Sequence, residues 1–302
     1  MRFAIQDNLL GRKTFKESFA LAKEIGFDGV ELNFFQKELT EVDAEEIAKA
    51  SQETGLAIAA VCGGYLNWIA DFDEEKRNIA VEGVKKSLEN IAKIGGQGLI
   101  APAAYGMYAR RFPAKRPIEE DRRILLDSLK RIAESAEKHK VMFYLEPLNR
   151  YEDHMINMIS EAVPYIEATA SKQVKLLADF FHMNIEEDDM VKTIEEYKDF
   201  IGYYHLADSN RKLPGFAHMD YKPLFNKLKE INYSGTLSIE CHLRGESAEG
   251  IKKSLNFLLI TDRIIAITKE SAKRTQSNTR LCLIFLDASS FSNKISLSIS
   301  ST

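Results

Sequence analysis

Cysteine is scarce in this sequence, and the three that occur, Cys62, Cys241 and Cys282, follow no regular spacing. An odd and irregular set excludes a disulfide framework and is typical of a reducing compartment. The first strand-like run begins at Arg2 without a charged and then apolar leader, and no apolar run is long enough to cross a membrane. We therefore expect a cytoplasmic protein with no membrane partner.

Positive charge is not in excess either. Lys and Arg number 41 against 45 Asp and Glu, which gives a formal net charge of −4. The densest basic stretch, residues 110–123, is interrupted by Glu119, Glu120 and Asp121. It therefore lacks the continuous basic face that binding of a phosphate backbone requires, and we expect no nucleic-acid partner.

A Gly-rich phosphate loop is missing after the first strand-like run, where residues 6–11 are Gln-Asp-Asn-Leu-Leu-Gly. Its absence argues against an open, doubly wound sheet. A different joint recurs, in which a helical pattern ends in glycine and a short apolar run follows, as at Gly26, Gly55 and Gly95. Glycine supplies the left-handed C-cap that turns the chain back into a strand. Strands that alternate with such helices predict a parallel sheet.

Eight strand-like runs alternate with helical patterns along the chain. They lie near residues 2–6, 29–33, 57–62, 98–101, 142–146, 174–179, 201–206 and 236–240, and a last helix is expected from Ser247 to about Ile267. Eight βα units in roughly 260 residues match a (β/α)8 TIM barrel, whose active sites lie at the carboxyl ends of the strands. We predict an α/β barrel domain over residues 1–270.

The character of the sequence changes near its end. Residues 271–302 are rich in serine and contain one short apolar run, residues 281–286. Such a composition is typical of a loosely packed tail. We predict that this non-barrel tail is poorly ordered and takes no part in chemistry.

Four successive strand-like runs, the fifth to the eighth, each end in a residue that can bind a metal ion. These residues are Glu146, Asp179, His205 and Glu240, separated by 33, 26 and 35 residues. Each interval is about one βα repeat, so the four side chains can lie side by side at the mouth of a barrel. Three carboxylates and one imidazole suit Mn²⁺, with Co²⁺ or Mg²⁺ as alternatives. A single such residue is more simply a helix cap or an arginine partner, but four in succession favour the metal.

The same segments resemble the xylose-isomerase-like barrels, and within them the ketose 3-epimerases of the D-tagatose and D-psicose type. The motifs that carry the resemblance are Glu-Pro-Leu-Asn-Arg-Tyr-Glu at 146–152, Asp-Phe-Phe-His-Met-Asn-Ile-Glu-Glu at 179–187, His-Leu-Ala-Asp-Ser-Asn-Arg at 205–211, and Glu240. The 5-keto-L-gluconate epimerase type is the most similar in motif wording. One departure is Phe180, where the family usually has Thr, and we expect it to reshape the pocket wall.

The resemblance implies that the four residues named above bind one divalent ion, and that Glu146 and Glu240 are also the two acid/base groups. It implies that Glu152, His182 and Arg211 bind the substrate, a ketose or a keto-sugar acid. Epimerisation next to a carbonyl exchanges a proton on both faces of one carbon, which requires two bases. We also expect a homo-oligomer, either a dimer or a tetramer.

Other polar and aromatic residues are expected at the mouth of the barrel, and each of them has two possible roles. His218 lines the pocket or makes a structural hydrogen bond. Glu31 binds substrate or forms an internal pair. Trp68, with Tyr65 and Leu66, covers the sugar or packs against the barrel rim.

Several alternative functions follow from the same pattern. Hydroxypyruvate isomerase and inosose dehydratase are related barrels with similar ligands. A nuclease of the endonuclease IV type needs histidines from early strands, whereas the first histidine here is His139. A non-catalytic sugar-binding protein has no need of the paired bases Glu146 and Glu240.

Overall fold

The computed structural model describes residues 1–107 and 116–263. Its strands form one closed barrel in which every neighbouring pair is parallel and the strand order follows the chain. The strands are β1 (Arg2–Gln6), β2 (Gly29–Glu38), β3 (Ala57–Gly64), β4 (Gly98–Pro102), β5 (Met142–Glu146), β6 (Val174–Asp179), β7 (Ile201–Leu206) and β8 (Thr236–Ile239). The predicted (β/α)8 TIM barrel is confirmed.

Helices occupy the connections between the strands. They are α1 (Phe15–Ile25), α2 (Glu41–Thr54), α3 (Glu74–Lys93), α4 (Ile118–His139), α5 (Ile159–Thr169), α6 (Phe180–Glu186), α7 (Met190–Glu196) and α8 (Tyr221–Glu230), with a 3-10 helix at Asp7–Leu10. Residues 248–258 are also helical. The predicted glycine joints end α1 and α2, because Gly26 and Gly55 are left-handed with φ of 109° and 73°.

The chain divides into two compact units, Met1–Leu258 and Leu259–Thr302. The first contains the whole barrel. In the second, residues 259–263 are helical and are the part that the structure describes. The predicted tail at 271–302 and the predicted end of the last helix near Ile267 lie outside the described residues. Within the described ranges, none of the helices combines the length and the apolar character needed to cross a membrane.

Strand β2 is longer than the sequence suggested, since it continues past Asn33 to Glu38. Its extension pairs with the end of β3, where Phe34 lies opposite Gly63 and Glu38 opposite Gly64. A Cβ atom on Gly63 would lie 2.5 Å from the carbonyl oxygen of Phe34, so this close pairing depends on glycine. The polar residues at the end of this extension are typical of a loop, which is why the sequence predicted a strand that ends near residue 33.

Large side chains fill the lower part of the barrel. Tyr144 and Tyr203 lie with ring centroids 5.2 Å apart, surrounded by Cys62, Ile100 and Leu177. Such interior layers make a TIM barrel a packed core and not a pore. The polar ends of the strands therefore meet above a solid apolar floor.

Candidate functional site

The four predicted ligand residues converge at the carboxyl ends of the last four strands. Glu146 and Asp179 end β5 and β6, His205 lies in β7, and Glu240 directly follows β8. One ligand atom from each lies within 4.8 Å of the others. The register explains the convergence, because Asp179 pairs with His205 and so places both at one height in the barrel.

The spacing of the ligand atoms fits a single small ion. His205 Nδ1 lies 3.0 Å from Glu240 Oε2, 3.5 Å from Glu146 Oε1 and 3.8 Å from Asp179 Oδ2. Bonds of roughly 2.1 Å in an octahedron put neighbouring ligands about 3.0 Å apart and opposite ones about 4.2 Å apart. Three carboxylates and one imidazole form the oxygen-rich donor set that hard and borderline divalent ions prefer.

Two buried atoms of the cluster lack a well-aligned hydrogen bond. They are Glu146 Oε1 and His205 Nδ1, both of which face the space between the ligands. A buried polar atom without a partner is costly, and a bound cation removes that cost. Burial, reinforced by the nearby charge of Glu240, raises the pKa of Glu146 to about 7 despite the opposing effect of His205.

Glu31 fixes the orientation of His205 from below. His205 Nε2 lies 3.0 and 3.1 Å from the two carboxylate oxygens of Glu31, which also accepts hydrogen bonds from Tyr203 Oη at 2.9 Å and Gln6 Nε2 at 2.8 Å. A carboxylate on the far nitrogen of a ligating histidine selects the tautomer and turns the other nitrogen to the metal. Glu31 therefore forms an internal pair, which decides between its two predicted roles.

The electrostatics of His205 follow from these contacts. Burial opposes a charge on its ring, but the nearby carboxylates of Glu31, Glu240 and Glu146 outweigh burial and raise its pKa well above the usual value. A ligating imidazole is neutral, so a metal ion held at Nδ1 would take the place of a proton on this ring.

Arg211 supplies the nearest positive charge. Its Nη1 contacts Asp179 Oδ2, its Nη2 lies 2.5 Å from Glu240 Oε2, and its guanidinium covers the ring of Phe181 at 4.9 Å. Arg211 is a non-glycine residue with a positive φ of 63°. Burial opposes ionisation of Glu240, yet His205 and Arg211 together hold its pKa well below the usual range.

The alternative of arginine pairing is thus partly realised, since Arg211 reaches two of the carboxylates. It leaves an imbalance of charge. Together with Glu31, the ligand set contains four carboxylates, whereas the contacting cations are Arg211 and, when protonated, His205. Arg211 offsets one of the four negative charges, and a divalent ion in the site would offset two more, because a His205 that binds the ion is neutral.

His182 faces the cluster with one ring nitrogen. Its Nδ1 accepts a hydrogen bond from the backbone N–H of Asn149 at 3.1 Å, so the proton of the neutral ring is assigned to Nε2. Nε2 lies 3.8 Å from Asp179 Oδ2 and 3.9 Å from Glu146 Oε1. Burial lowers the pKa of His182, which keeps it a neutral donor.

The remaining predicted residues lie in different surroundings. Glu152 is half-buried, and its Oε1 accepts a hydrogen bond from Asn149 Nδ2 at 2.9 Å, next to His182. His218 is exposed on the connection after β7, and its backbone N–H lies 3.4 Å from Ser209 Oγ. The structure thus brings Glu152 toward the cluster and leaves His218 at the surface.

The expectation that Phe180 reshapes the pocket wall is wrong. Its ring is fully buried and packs against Tyr204 and Tyr221, with centroids 5.7 and 6.0 Å away. Tyr204 alternates with the inward-facing His205 on β7, so it points away from the barrel interior. Phe180 therefore belongs to the layer between the strands and the helices.

Sequence reasoning did not single out Tyr203, Asn149 or the aromatic residues Phe35 and Tyr105. Tyr203 precedes His205 by two residues and shares its face of β7, a period-two signal that the sequence contains. Of the predicted covering residues, Tyr65 is buried, whereas Trp68 meets the rings of Phe35 and Tyr105 at the rim.

Comparison with known proteins agrees with this geometry. Residues 19–260 match the family model described as xylose isomerase-like TIM barrel. The 3-dehydro-D-guloside 4-epimerase of Escherichia coli K12 is 38% identical over 262 residues, 85% of this chain and 99% of that protein. The L-ribulose 3-epimerase of Mesorhizobium japonicum is 29% identical over 74% of each chain.

A solved structure shows the same fold. The crystal structure of the 3-keto-D-glucoside 4-epimerase from E. coli superposes with a TM-score of 0.82 at 37% identity, covering 86% of this chain and 99% of that one.

Proposed function

Because this chain belongs to the xylose isomerase-like TIM barrel family, we propose that it is a metal-dependent epimerase, an isomerase that inverts a carbon next to the ketone of a keto-sugar. The observation that carries the proposal is the convergence of Glu146, Asp179, His205 and Glu240 within 4.8 Å. Two of these carboxylates come from β5 and β8, which are separated by β6 and β7.

The reactions for which the relatives are named have one chemical feature in common. A 3-keto-glucoside 4-epimerase inverts the carbon beside a ketone, and so does a 3-epimerase acting on the 2-ketose L-ribulose. A hydrogen on such a carbon is acidic because the carbonyl delocalises the resulting charge. We propose a 3-keto-glycoside inverted at carbon 4 as the substrate, since the more similar relatives bear that activity, with a ketose inverted at carbon 3 as the alternative.

The residues divide the work as follows. Glu146 and Glu240 remove and return the proton on opposite faces of the reacting carbon, as an epimerisation requires. A divalent ion held by the four ligands would act as a Lewis acid and stabilise the negative charge that develops on the substrate oxygens. His182 donates from Nε2 to a substrate oxygen. Arg211 orients a hydroxyl and holds Glu240 ionised.

Other functions fit less well. The named relatives are sugar epimerases, which does not favour hydroxypyruvate isomerase or inosose dehydratase activity. A nuclease is disfavoured because the cluster holds one ligating histidine and the chain has a net charge of −4. Burying paired carboxylates costs free energy, and a purely sugar-binding role gives no reason for that cost.

Three finer features belong to the proposal. We assign Mn²⁺ to the site, with Co²⁺ or Mg²⁺ as alternatives, because its donors are mainly carboxylate oxygens. We further assign the protein to the cytoplasm and to a dimer or a tetramer, with a small sugar as its partner. Native mass measurement decides the oligomeric state.

Metal dependence is the first test. Chelation is expected to abolish turnover of keto-sugars, since Glu146 Oε1 and His205 Nδ1 lose their shared partner. Added Mn²⁺ or Co²⁺ is expected to restore turnover, read by NMR of the substrate stereocentre. An unchanged rate in chelated, metal-free protein contradicts the assignment of the ligands.

The second test separates the two carboxylates. In Glu146→Gln and in Glu240→Gln, we expect epimerisation to fall by about 10²- to 10⁴-fold, because each direction needs one proton removal and one return. The exchange of the substrate proton with solvent deuterium is expected to survive selectively. Each variant should still exchange the carbon-bound proton of one epimer, the one whose proton faces the remaining carboxylate. The two variants should therefore show opposite preferences for the two epimers.

Saturating metal is the necessary control for this test, because weaker ion binding imitates lost catalysis. If both variants lose exchange equally from both epimers at saturating metal, the two-base mechanism is wrong. A single base or a hydride shift would then replace it.

A further inference from the structure

Three aromatic side chains form a cluster at the mouth of the barrel, and we call Phe35, Trp68 and Tyr105 the rim triad. Phe35 lies near the end of β2, and Trp68 and Tyr105 lie in the connections after β3 and β4. Their ring centroids are 5.3 to 5.8 Å apart. Phe35 is 47% exposed and Tyr105 38% exposed, so the triad presents ring surface to solvent.

Strand β2 connects the triad to the metal-ligand cluster. Glu31, Asn33 and Phe35 are every second residue of this strand and so lie on one face, the face that points into the barrel. Glu31 contacts His205, Asn33 Nδ2 lies 3.2 Å from Gln6 Oε1, and Phe35 is about 13 Å further along the strand than Glu31 at 3.3 Å per residue. Exposure increases in the same order, from fully buried Glu31 to half-buried Asn33 to exposed Phe35.

Tyr105 connects the triad to the substrate side of the cluster. The backbone N–H of the next residue, Gly106, donates to the carbonyl of Glu152 at 2.7 Å. Burial, followed by the negative charge of Glu152, raises the pKa of Tyr105, while Arg211 opposes this effect. The triad thus lies next to Glu152 and Arg211, which we propose bind the substrate.

The triad is held by a rigid support. Gln36 Nε2 donates to the carbonyl of Asn67 at 3.1 Å, and the backbone N–H of Asn67 donates to Gln36 Oε1 at 3.0 Å. Both residues have positive φ, 53° and 62°. Such conformations are uncommon outside glycine and concentrate at functional sites. The hydrogen bonds fix the residues next to Phe35 and Trp68, so the rings are placed before any ligand arrives.

We propose that the rim triad is a subsite for the second ring of a glycoside whose keto ring lies at the metal-ligand cluster. The inference rests on the proposed function and specifies its substrate class as a disaccharide or a similar large glycoside. The C–H face of a pyranose ring is apolar and packs on the electron-rich face of aromatic rings. In this proposal the keto ring lies at the metal-ligand cluster and the second ring covers the triad.

A second copy of this chain fits the triad less well. A stable subunit interface buries roughly 800 Å² on each partner. Three aromatic side chains bury about 150–250 Å² each when fully covered, and these three are already covered in part. The three rings by themselves therefore offer too little surface for a stable subunit interface.

The first experiment measures binding without turnover. Trp68 is the single tryptophan of the chain, so intrinsic tryptophan fluorescence reports on the triad alone. We expect maltose or cellobiose to change the emission of the Mn²⁺-loaded protein at concentrations where methyl glucoside does not. Phe35→Ala is expected to weaken that binding by roughly 3- to 10-fold. Equal responses to methyl glucoside and both disaccharides would overturn the proposal.

The second experiment uses reacting sugars. The ratio of KM for a 3-keto methyl glucoside to KM for a 3-keto disaccharide is expected to fall by roughly 3- to 10-fold in Phe35→Ala. The control Ile79→Ala removes an equally exposed apolar side chain from α3 and should keep the wild-type ratio. A wild-type ratio in Phe35→Ala contradicts the subsite.

The two proposals fail separately. If no keto-sugar is epimerised, the proposed function is wrong, while the fluorescence titration still decides whether the triad binds a second ring. If keto-sugars are epimerised but disaccharides and methyl glycosides behave alike in both experiments, the subsite alone is wrong.

Discussion

At the scale of single residues, the histidine at the centre of the cluster depends on one carboxylate that no substrate needs to touch. Glu31 is fully buried and accepts hydrogen bonds from three side chains of β1 and β7. Because one of them is His205, the geometry of the candidate metal site is set partly by a strand on the opposite side of the barrel. Glu31 is therefore a positioning residue.

Glu31→Gln tests that role. The amide keeps the volume of the side chain but removes its charge, so it no longer selects the tautomer that exposes His205 Nδ1. We expect the affinity for Mn²⁺ to fall by about 10- to 100-fold. Titration of metal-free protein against a competing chelator measures this affinity directly.

Tyr203→Phe is the matched control for Glu31→Gln. It deletes a single hydrogen bond to Glu31 and keeps the pair with His205. Because one hydrogen bond contributes roughly 1 kcal/mol, we expect a loss of affinity of only about 5-fold. Wild-type Mn²⁺ affinity in Glu31→Gln would show that His205 is oriented by other contacts.

At the scale of strands, a bulge in β7 sets which side chains face inward. Leu176 pairs with Ile201 but Leu177 pairs with Tyr203, so Gly202 is an extra residue in this ladder. A bulge re-aims the side chains that follow it. Beside the bulge, the ring of Tyr144 fills the space next to Gly202 of β7 and Gly98 of β4. A Cβ atom on Gly202 would lie 2.8 Å from Tyr144 Cε1.

Gly98→Ala tests how tightly this floor is packed. The added Cβ would lie 2.5 Å from Tyr144 Cε2 and 2.9 Å from the carbonyl oxygen of Met142. Such overpacking typically costs about 1–3 kcal/mol, so we expect a lower melting temperature in thermal unfolding.

Gly250→Ala is the matched substitution outside the sheet. It lies in the helical residues 248–258, where its nearest neighbour is the Cβ atom of Glu246 at 3.1 Å. There alanine favours the helix by roughly 0.5–1 kcal/mol, and we expect no loss of stability. Equal melting temperatures for Gly98→Ala and the wild type would mean that the floor adjusts easily.

At the scale of the molecule, the barrel and its candidate site are complete within Met1–Leu258. All four ligand residues, and Glu31, lie in that unit. The E. coli 4-epimerase is matched over 99% of its own length by 262 residues of this chain. We therefore predict that the proposed reaction does not use residues 271–302.

Truncation after Lys273 is expected to leave activity and melting temperature nearly unchanged. The reason is that closure of β8 on β1 already pairs both edges of the sheet. Steady-state assays and thermal unfolding of the shortened chain check this expectation. A loss of several degrees would show that residues 281–286 pack on the barrel or on a subunit partner.

The sequence by itself determined the barrel and the positions in it of the four candidate ligand residues. Glycine joints mark where helices return to strands, as at Gly26 and Gly55, and these signals are local. The repeat also places Glu146 and Asp179 at strand ends, since successive parallel strands end at one face. Local backbone preference and repeat length were sufficient for these conclusions.

Only the tertiary structure decided the direction and the partners of individual side chains. It turned Phe180 toward Tyr204, away from the pocket, and gave Glu31 to His205, a residue 174 positions away. It also assembled the rim triad from one strand and two separate connections. Strand register, the bulge at Gly202 and contacts between distant segments determine these features, because each depends on the closed barrel and on no single stretch of sequence.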